Sequence, residues 1–164
     1  MKNFKQLKTT RKGEYGEEIV QELLIGWGFT IYPAPEEAHP VDFLTWKEGE
    51  LTAIDVKTYP RYFSSESTGI DRADYRTYKN LSTAYRLPVK LFFVDQFEGA
   101  VYGHRLSYLE PFKQHRDGKV CFPLSAMQYV RPLTDEEVNR LTELSSVNYS
   151  QYEQMPRYFT NDTR

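Results

Sequence analysis

Pro40-Val41-Asp42-Phe43-Leu44-Thr45-Trp46-Lys47-Glu48-Gly49-Glu50-Leu51-Thr52-Ala53-Ile54-Asp55-Val56-Lys57 decides how this chain is read. Two runs rich in β-branched, aromatic and aliphatic residues, 41–46 and 51–59, flank the turn-forming Lys47-Glu48-Gly49-Glu50. That is the pattern of a β-hairpin. Alternate residues of a strand face the same side, so Asp55 and Lys57 share one face while Ile54 and Val56 occupy the other. A charged pair on an otherwise apolar strand is costly to bury unless something compensates it. The hairpin places Asp42 beside that pair. Asp42 and Asp55, with the Val56 carbonyl as a further oxygen, form a ligand set suited to Mg²⁺ or Mn²⁺. Lys57 is then placed to orient a water or to stabilise developing negative charge.

Upstream, residues 13–27 carry a helical period, with Ile19, Val20, Leu23, Leu24 and Trp27 on one face and Gly26 and Gly28 closing the helix. At about 100° per residue, Glu17 falls at the edge of that face and Glu18 points away from it. Gly13 and Gly16 turn towards the core, where the absence of a side chain permits close approach. Glu17 is therefore the third acid expected at the site. Residues 29–32 begin an extended segment. Pro33, Pro35 and Pro40 make the next stretch irregular, and His39 within it reads as a solvated loop histidine.

Downstream, 64–69 reads as a polar loop and 71–86 as a second helix. Residues 89–95 form an apolar strand of the kind buried on both faces. A turn at 96–99 leads into a strand over 100–106, and 119–124 reads as a short further strand. Thr134 with Glu137 three residues on is a capping box, opening a last helix to 144. The order predicts an α/β domain over 12–145, a mixed sheet flanked by helices. A flexible basic arm (1–11) precedes it and a polar, tyrosine-rich tail (146–164) follows.

Net charge is −2 over 164 residues, so any affinity for nucleic acid rests on how charge is distributed. The arm carries Lys2, Lys5, Lys8, Arg11 and Lys12 without an acid. On the second helix Arg72, Arg76 and Lys79 form one stripe, beside an apolar face of Tyr75, Tyr78, Leu81 and Tyr85. With Arg61 on the loop after the hairpin, the stripe is the predicted phosphate-contacting surface. A solvated helix face is the competing reading. The single cysteine, Cys121, excludes an intrachain disulfide or a cysteine zinc cluster and reads as a buried strand residue. No apolar run approaches membrane-spanning length and no secretory apolar region opens the chain, so a cytoplasmic location and no membrane partner are expected. No His-x-x-x-His, Gly-x-Ser-x-Gly or Walker loop is present, which argues against zinc peptidases, α/β-hydrolases and P-loop NTPases.

The elements Gly13-Glu14-Tyr15-Gly16-Glu17, Asp42, Asp55-Val56-Lys57 and Leu91-Phe92-Phe93-Val94-Asp95 together resemble the PD-(D/E)xK nuclease superfamily. The branch most similar is that of archaeal Holliday-junction resolvases and small phage and mobile-element nucleases. The resemblance implies a restriction-endonuclease-like fold and Mg²⁺- or Mn²⁺-dependent hydrolysis of DNA, including branched or nicked DNA. In it Asp42, Asp55 and Lys57 are the metal-binding and catalytic core, and Glu17 assists. The chain departs from the pattern in two places. The proline stands two residues before Asp42 instead of one, and the second helix lacks the usual glutamine. A catalytically inactive DNA-binding or protein-interaction module of the same fold is the alternative. Cutting paired strands would need two sites, and hence a homodimer.

Overall fold

The computed structural model describes residues 8–34, 40–59, 61–62 and 65–145. The arm before residue 8, the tail after 145 and His39 lie outside these. The first helix, α1 (Lys8–Gly26), buries Ile19, Val20 and Leu24. It starts earlier than its apolar period predicts, so residues 8–11 are helical and not part of an arm. Trp27 falls past its end and is 42% exposed, because Gly28 turns the chain in the left-handed region (φ 81°).

Three strands follow: β1 (Thr30–Pro33), β2 (Phe43–Lys47) and β3 (Glu50–Lys57). The β2–β3 hairpin turns on Glu48 and Gly49, both at positive φ (51° and 86°). That backbone matches the twist of paired strands. Pro33 is tolerated because β1 is an edge strand, bonded to β2 alone.

After β3 the chain makes β4 (Ser67–Asp71) and α2 (Arg72–Ala84), then returns as β5 (Val89–Asp95) alongside and parallel to β3. β6 (Ala100–Arg105) turns back antiparallel to β5. A short helix α3 (Leu106–Leu109), β7 (Gln114–Arg116) and β8 (Lys119–Pro123) precede β9 (Gln128–Pro132) and α4 (Asp135–Leu144). The main sheet has the order β1-β2-β3-β5-β6-β9, and a second sheet the order β4-β8-β7. Thr134 and Glu137 close the capping box that opens α4.

Strand alternation divides the core in two. Ile54, Val56, Phe92 and Val94 face α1 and α4. Ala53, Leu91 and Phe93 face α2 and the small sheet, where Ile70, Tyr78, Val120 and Phe122 meet them. The small sheet departs from expectation. Residues 64–69 read as a polar loop, yet Ser67, Thr68, Gly69 and Ile70 are buried in β4. The residues carry no strand signal of their own. Pairing with β8 supplies one, and Gly69 lets the strands close up, since a Cβ there would lie 2.6 Å from the Val120 carbonyl oxygen. Cys121 is buried in β8.

Candidate active site

β3 carries Asp55 and Lys57 to its carboxyl-terminal end, on the α2 side of the sheet. Asp55 is 2% exposed, a carboxylate buried among apolar neighbours. The Lys57 ammonium donates to its Oδ1 at 2.8 Å, and the Tyr78 hydroxyl of α2 donates to the same oxygen at 2.5 Å. Oδ2 of Asp55 is buried with no partner. Burial pushes the Asp55 carboxyl above the usual range, against the pull of Lys57 and Tyr78. Lys57 also stands 3.6 Å from Asp74 in the first turn of α2. Burial lowers the lysine pKa, but Asp55, Asp42 and Asp74 together raise it, so the side chain stays a cation.

Asp42 lies just before β2, whose first residue, Phe43, pairs with Ile54. The Asp42 backbone N–H donates to the Ile54 carbonyl at 3.0 Å, and its Oδ2 accepts from the Val56 N–H at 2.6 Å. This pins Asp42 to the strand that bears Asp55. Glu17 arrives from the opposite face of the sheet. Its helix comes close because Gly16 has no side chain; a Cβ there would lie 1.8 Å from Oγ1 of Thr58, the residue after Lys57. Gly13, also read as core-facing, has nothing within 4 Å of such a Cβ. Burial, then the charges of Asp42, Asp55 and Glu14, raise the Glu17 carboxyl to about 7, with Lys57 opposing. Glu18 is exposed, as its helical position predicts.

The structure thus gathers Glu17, Asp42, Asp55 and Lys57 at one end of β3 and adds Asp74 and Tyr78. In sequence Tyr78 reads as one more apolar-face residue and Asp74 as a counter-charge. Their spacing, four residues on a helix, is the available signal. No three acidic, histidine or cysteine groups among the described residues stand close enough together to chelate one ion. Asp42 is instead drawn to the Val56 N–H, and Asp55 to Lys57 and Tyr78. The residues nonetheless fit a magnesium-type cation. Such ions are held by one or two carboxylates, with water filling the other positions, and Asp55 presents an unpartnered buried oxygen.

The predicted phosphate contacts divide. Arg61 is buried and its guanidinium is paired with Glu98, which withdraws it from any surface role. The reason is Glu98, in the turn between β5 and β6, which takes the guanidinium. Lys79 is paired with Glu110. Arg72 and Arg76 are exposed, and neither reaches an acid among the described residues.

No protein-family profile matches this chain, and no curated protein matches it in sequence. Among solved structures it is similar to Hjc of Archaeoglobus fulgidus, a Holliday junction resolvase from an archaeal hyperthermophile. Identity is 15%, the TM-score is 0.52, and the match covers 75% of this chain and 96% of that one. The fold is restriction-endonuclease-like. The resemblance read from Asp42, Asp55-Val56-Lys57 and the β5 segment therefore holds at the level of fold. In this restriction-endonuclease-like frame, the hairpin and the α2 crossover are what deliver the acids and the lysine to one edge. Among the described residues, no helix is long and apolar enough to cross a membrane.

Proposed function

We propose that this chain is a divalent-metal-dependent endonuclease that hydrolyses DNA phosphodiester bonds, with branched or nicked DNA as its substrate. The observation that carries the reading is Asp55, a buried carboxylate with one oxygen unpartnered beside Asp42, Glu17 and a protonated Lys57. Burying a carboxylate oxygen without a partner is unfavourable for the fold alone. Asp42 and Asp55 are the residues that would hold Mg²⁺ or Mn²⁺, with the Val56 carbonyl beside them. When bound, the cation supplies charge neutralisation at the phosphate and lowers the pKa of a coordinated water.

The side chains divide the remaining work. Lys57, kept cationic by its acidic neighbours, stabilises negative charge that develops on the phosphate and orients the water. Tyr78 and Asp74 hold Asp55 and Lys57 in place. Glu17, raised to about 7, accepts or holds a proton near neutral pH. The resolvase fold of the structural neighbour favours branched DNA among the substrates, and resolving a junction calls for two copies of the site.

Supercoiled, linear, single-stranded and branched DNA incubated with Mg²⁺, Mn²⁺ or EDTA tests this. Metal-dependent cutting that Asp55→Ala and Lys57→Ala remove is the expected result. Retention of DNA without cutting under every metal condition establishes the inactive module instead.

A further inference from the structure

The small sheet and α2 enclose an open cleft of about 360 Å³, lined by Arg72, Tyr75, Arg76, His115 and Val120. Three of its five lining residues are basic. Four other arginines satisfy their charge on an acid: Arg61 on Glu98, Arg105 on Glu50, Arg131 on Glu137 and Arg140 on Glu143. Arg72 and Arg76 do not, although acids are close in sequence. Asp71 is taken by Lys119, Asp74 by Lys57, and Asp117 by Arg116. Tyr75 is tied by its hydroxyl to Glu110, which fixes its ring at the cleft and leaves the arginines unengaged. His115 is supplied by β7, an element with no counterpart in the predicted architecture.

We propose that this cleft seats a backbone phosphate of the nucleic-acid strand that enters the active site. Arginine guanidinia present planar donor pairs that match phosphate oxygens. The ligand is a phosphodiester and not a free small molecule, because the cleft is open and α2 joins it directly to the reacting groups. Arg72 and Arg76 lie on one side of the helix, while Asp74 and Tyr78 reach Lys57 and Asp55 on another. From Arg72 to Tyr78 the helix rises about 9 Å. That axial rise alone spans about two to three nucleotides of one strand at ~3.4 Å each, and the sideways separation across the helix adds to it. The cleft therefore holds a phosphate a few nucleotides from the bond to be cut. This assignment rests on the proposed nuclease reading and replaces Arg61 and Lys79 with His115 in the contact surface.

The test measures binding of a fluorescently labelled duplex, a four-way junction and an RNA of the same sequence by the full chain. Anisotropy is read in EDTA over a series of salt concentrations. The double variant Arg72→Gln/Arg76→Gln is expected to bind at least about tenfold more weakly. Its salt slope is expected to fall by about one, for the one phosphate that is no longer neutralised. His115→Gln should show a smaller loss, and Arg140→Gln on α4 no change. Because Arg72 and Arg76 touch no acid and are exposed, their variants keep the wild-type melting temperature. Loss of slope on either DNA or RNA supports the cleft. If the wild type binds and cuts while the double variant keeps its affinity and slope, the cleft is overturned and the nuclease reading stands. A wild type that binds no nucleic acid overturns both.

Discussion

Two groups of buried charge lie at the same edge of the main sheet, on the neighbouring parallel strands β3 and β5, and they differ in balance. At the end of β5, Asp95 and Glu98 face Lys12 and Arg61. Glu98 pairs with Arg61, the Phe97 and Glu98 N–H groups donate to Asp95, and Lys12 lies within its field. At the end of β3, Glu17, Asp42, Asp55 and Asp74 share the ammonium of Lys57. The first group balances in charge, two acids against two bases, although Oδ2 of Asp95 is also buried without a partner, and it ties the segment after β3 to the β5–β6 turn. The second sets four acids against one ammonium, the imbalance that the proposed cation would offset. Neither buried charge nor an orphaned carboxylate oxygen by itself marks a site; the excess of acids over bases is what separates the two groups.

The comparison breaks most decisively if the two groups answer alike to neutralisation. Arg61→Gln leaves Glu98 buried and unpaired, and should cost about 3–5 kcal/mol of stability. Asp55→Asn keeps the acceptor for Lys57 and Tyr78 and removes repulsion, so its stability in metal-free buffer should equal or exceed the wild type's. Urea denaturation measures both. Cleavage should run the other way: retained per folded molecule in Arg61→Gln and absent in Asp55→Asn. An Asp55→Asn protein as unstable as Arg61→Gln would show that the β3 group is structural too.

Tyr78→Phe removes one hydrogen bond to a carboxylate, worth about 1.5–3 kcal/mol. The expected outcome is a cleavage rate down by about 10- to 100-fold with DNA affinity unchanged, read from single-turnover kinetics. Equal loss of binding and rate would deny Tyr78 its positioning role.

Of the β3 group, Glu17, Asp42, Asp55 and Lys57 are legible in sequence, while Asp74 and Tyr78 are not. Asp42, Asp55 and Lys57 can be read because strand alternation and a short hairpin are local rules. Glu17 follows from helix angle alone. Tyr78 is not legible as a site residue, since an inward-facing tyrosine reads as core until a carboxylate is seen opposite its hydroxyl. Arg61 misleads for a related reason. Its partner, Glu98, lies 37 residues on in the β5–β6 turn, and no local pattern announces that pairing. β4 is hidden too, since its Ser67-Thr68-Gly69 has no hydrophobic alternation and becomes a strand only by pairing with β8, some fifty residues on. β9 is hidden likewise, being a half-exposed edge strand with the polar run Gln128-Tyr129 at its start.

A smaller effect sharpens the role of helix approach. Gly16→Ala must push α1 away from Thr58, a strain of about 1–3 kcal/mol, and should lower activity by carrying Glu17 outward. Gly13→Ala has open space around it and should be stabilising by up to about 1 kcal/mol through helix propensity. Opposite signs in thermal denaturation are expected; matching signs would mean the contact at Gly16 is readily relieved.

The smallest effect is in pH. The Glu17 carboxyl rises from 4.5 in the unfolded chain to about 7 when folded. Its contribution to stability is therefore complete below 4.5 and is lost as pH rises through 7. Asp95, raised to about 6 chiefly by burial, follows the same sign over a lower range. Glu17→Gln should flatten the stability profile between pH 6 and 7 and leave the lower part, due to Asp95, in place. A profile unaltered above pH 6 would place Glu17 outside the field of the acidic group.

Because β3 and β5 run parallel, the chain must travel through β4 and α2 before the second strand can dock against the first. Closing such a long excursion is entropically slow and gains little until it is complete. The whole group at Asp55 therefore has no local precursor. A polypeptide halted before residue 89 holds the hairpin, with Asp42, Asp55 and Lys57, but not the neighbouring strand. The full set of side chains therefore comes together only when the whole domain has closed.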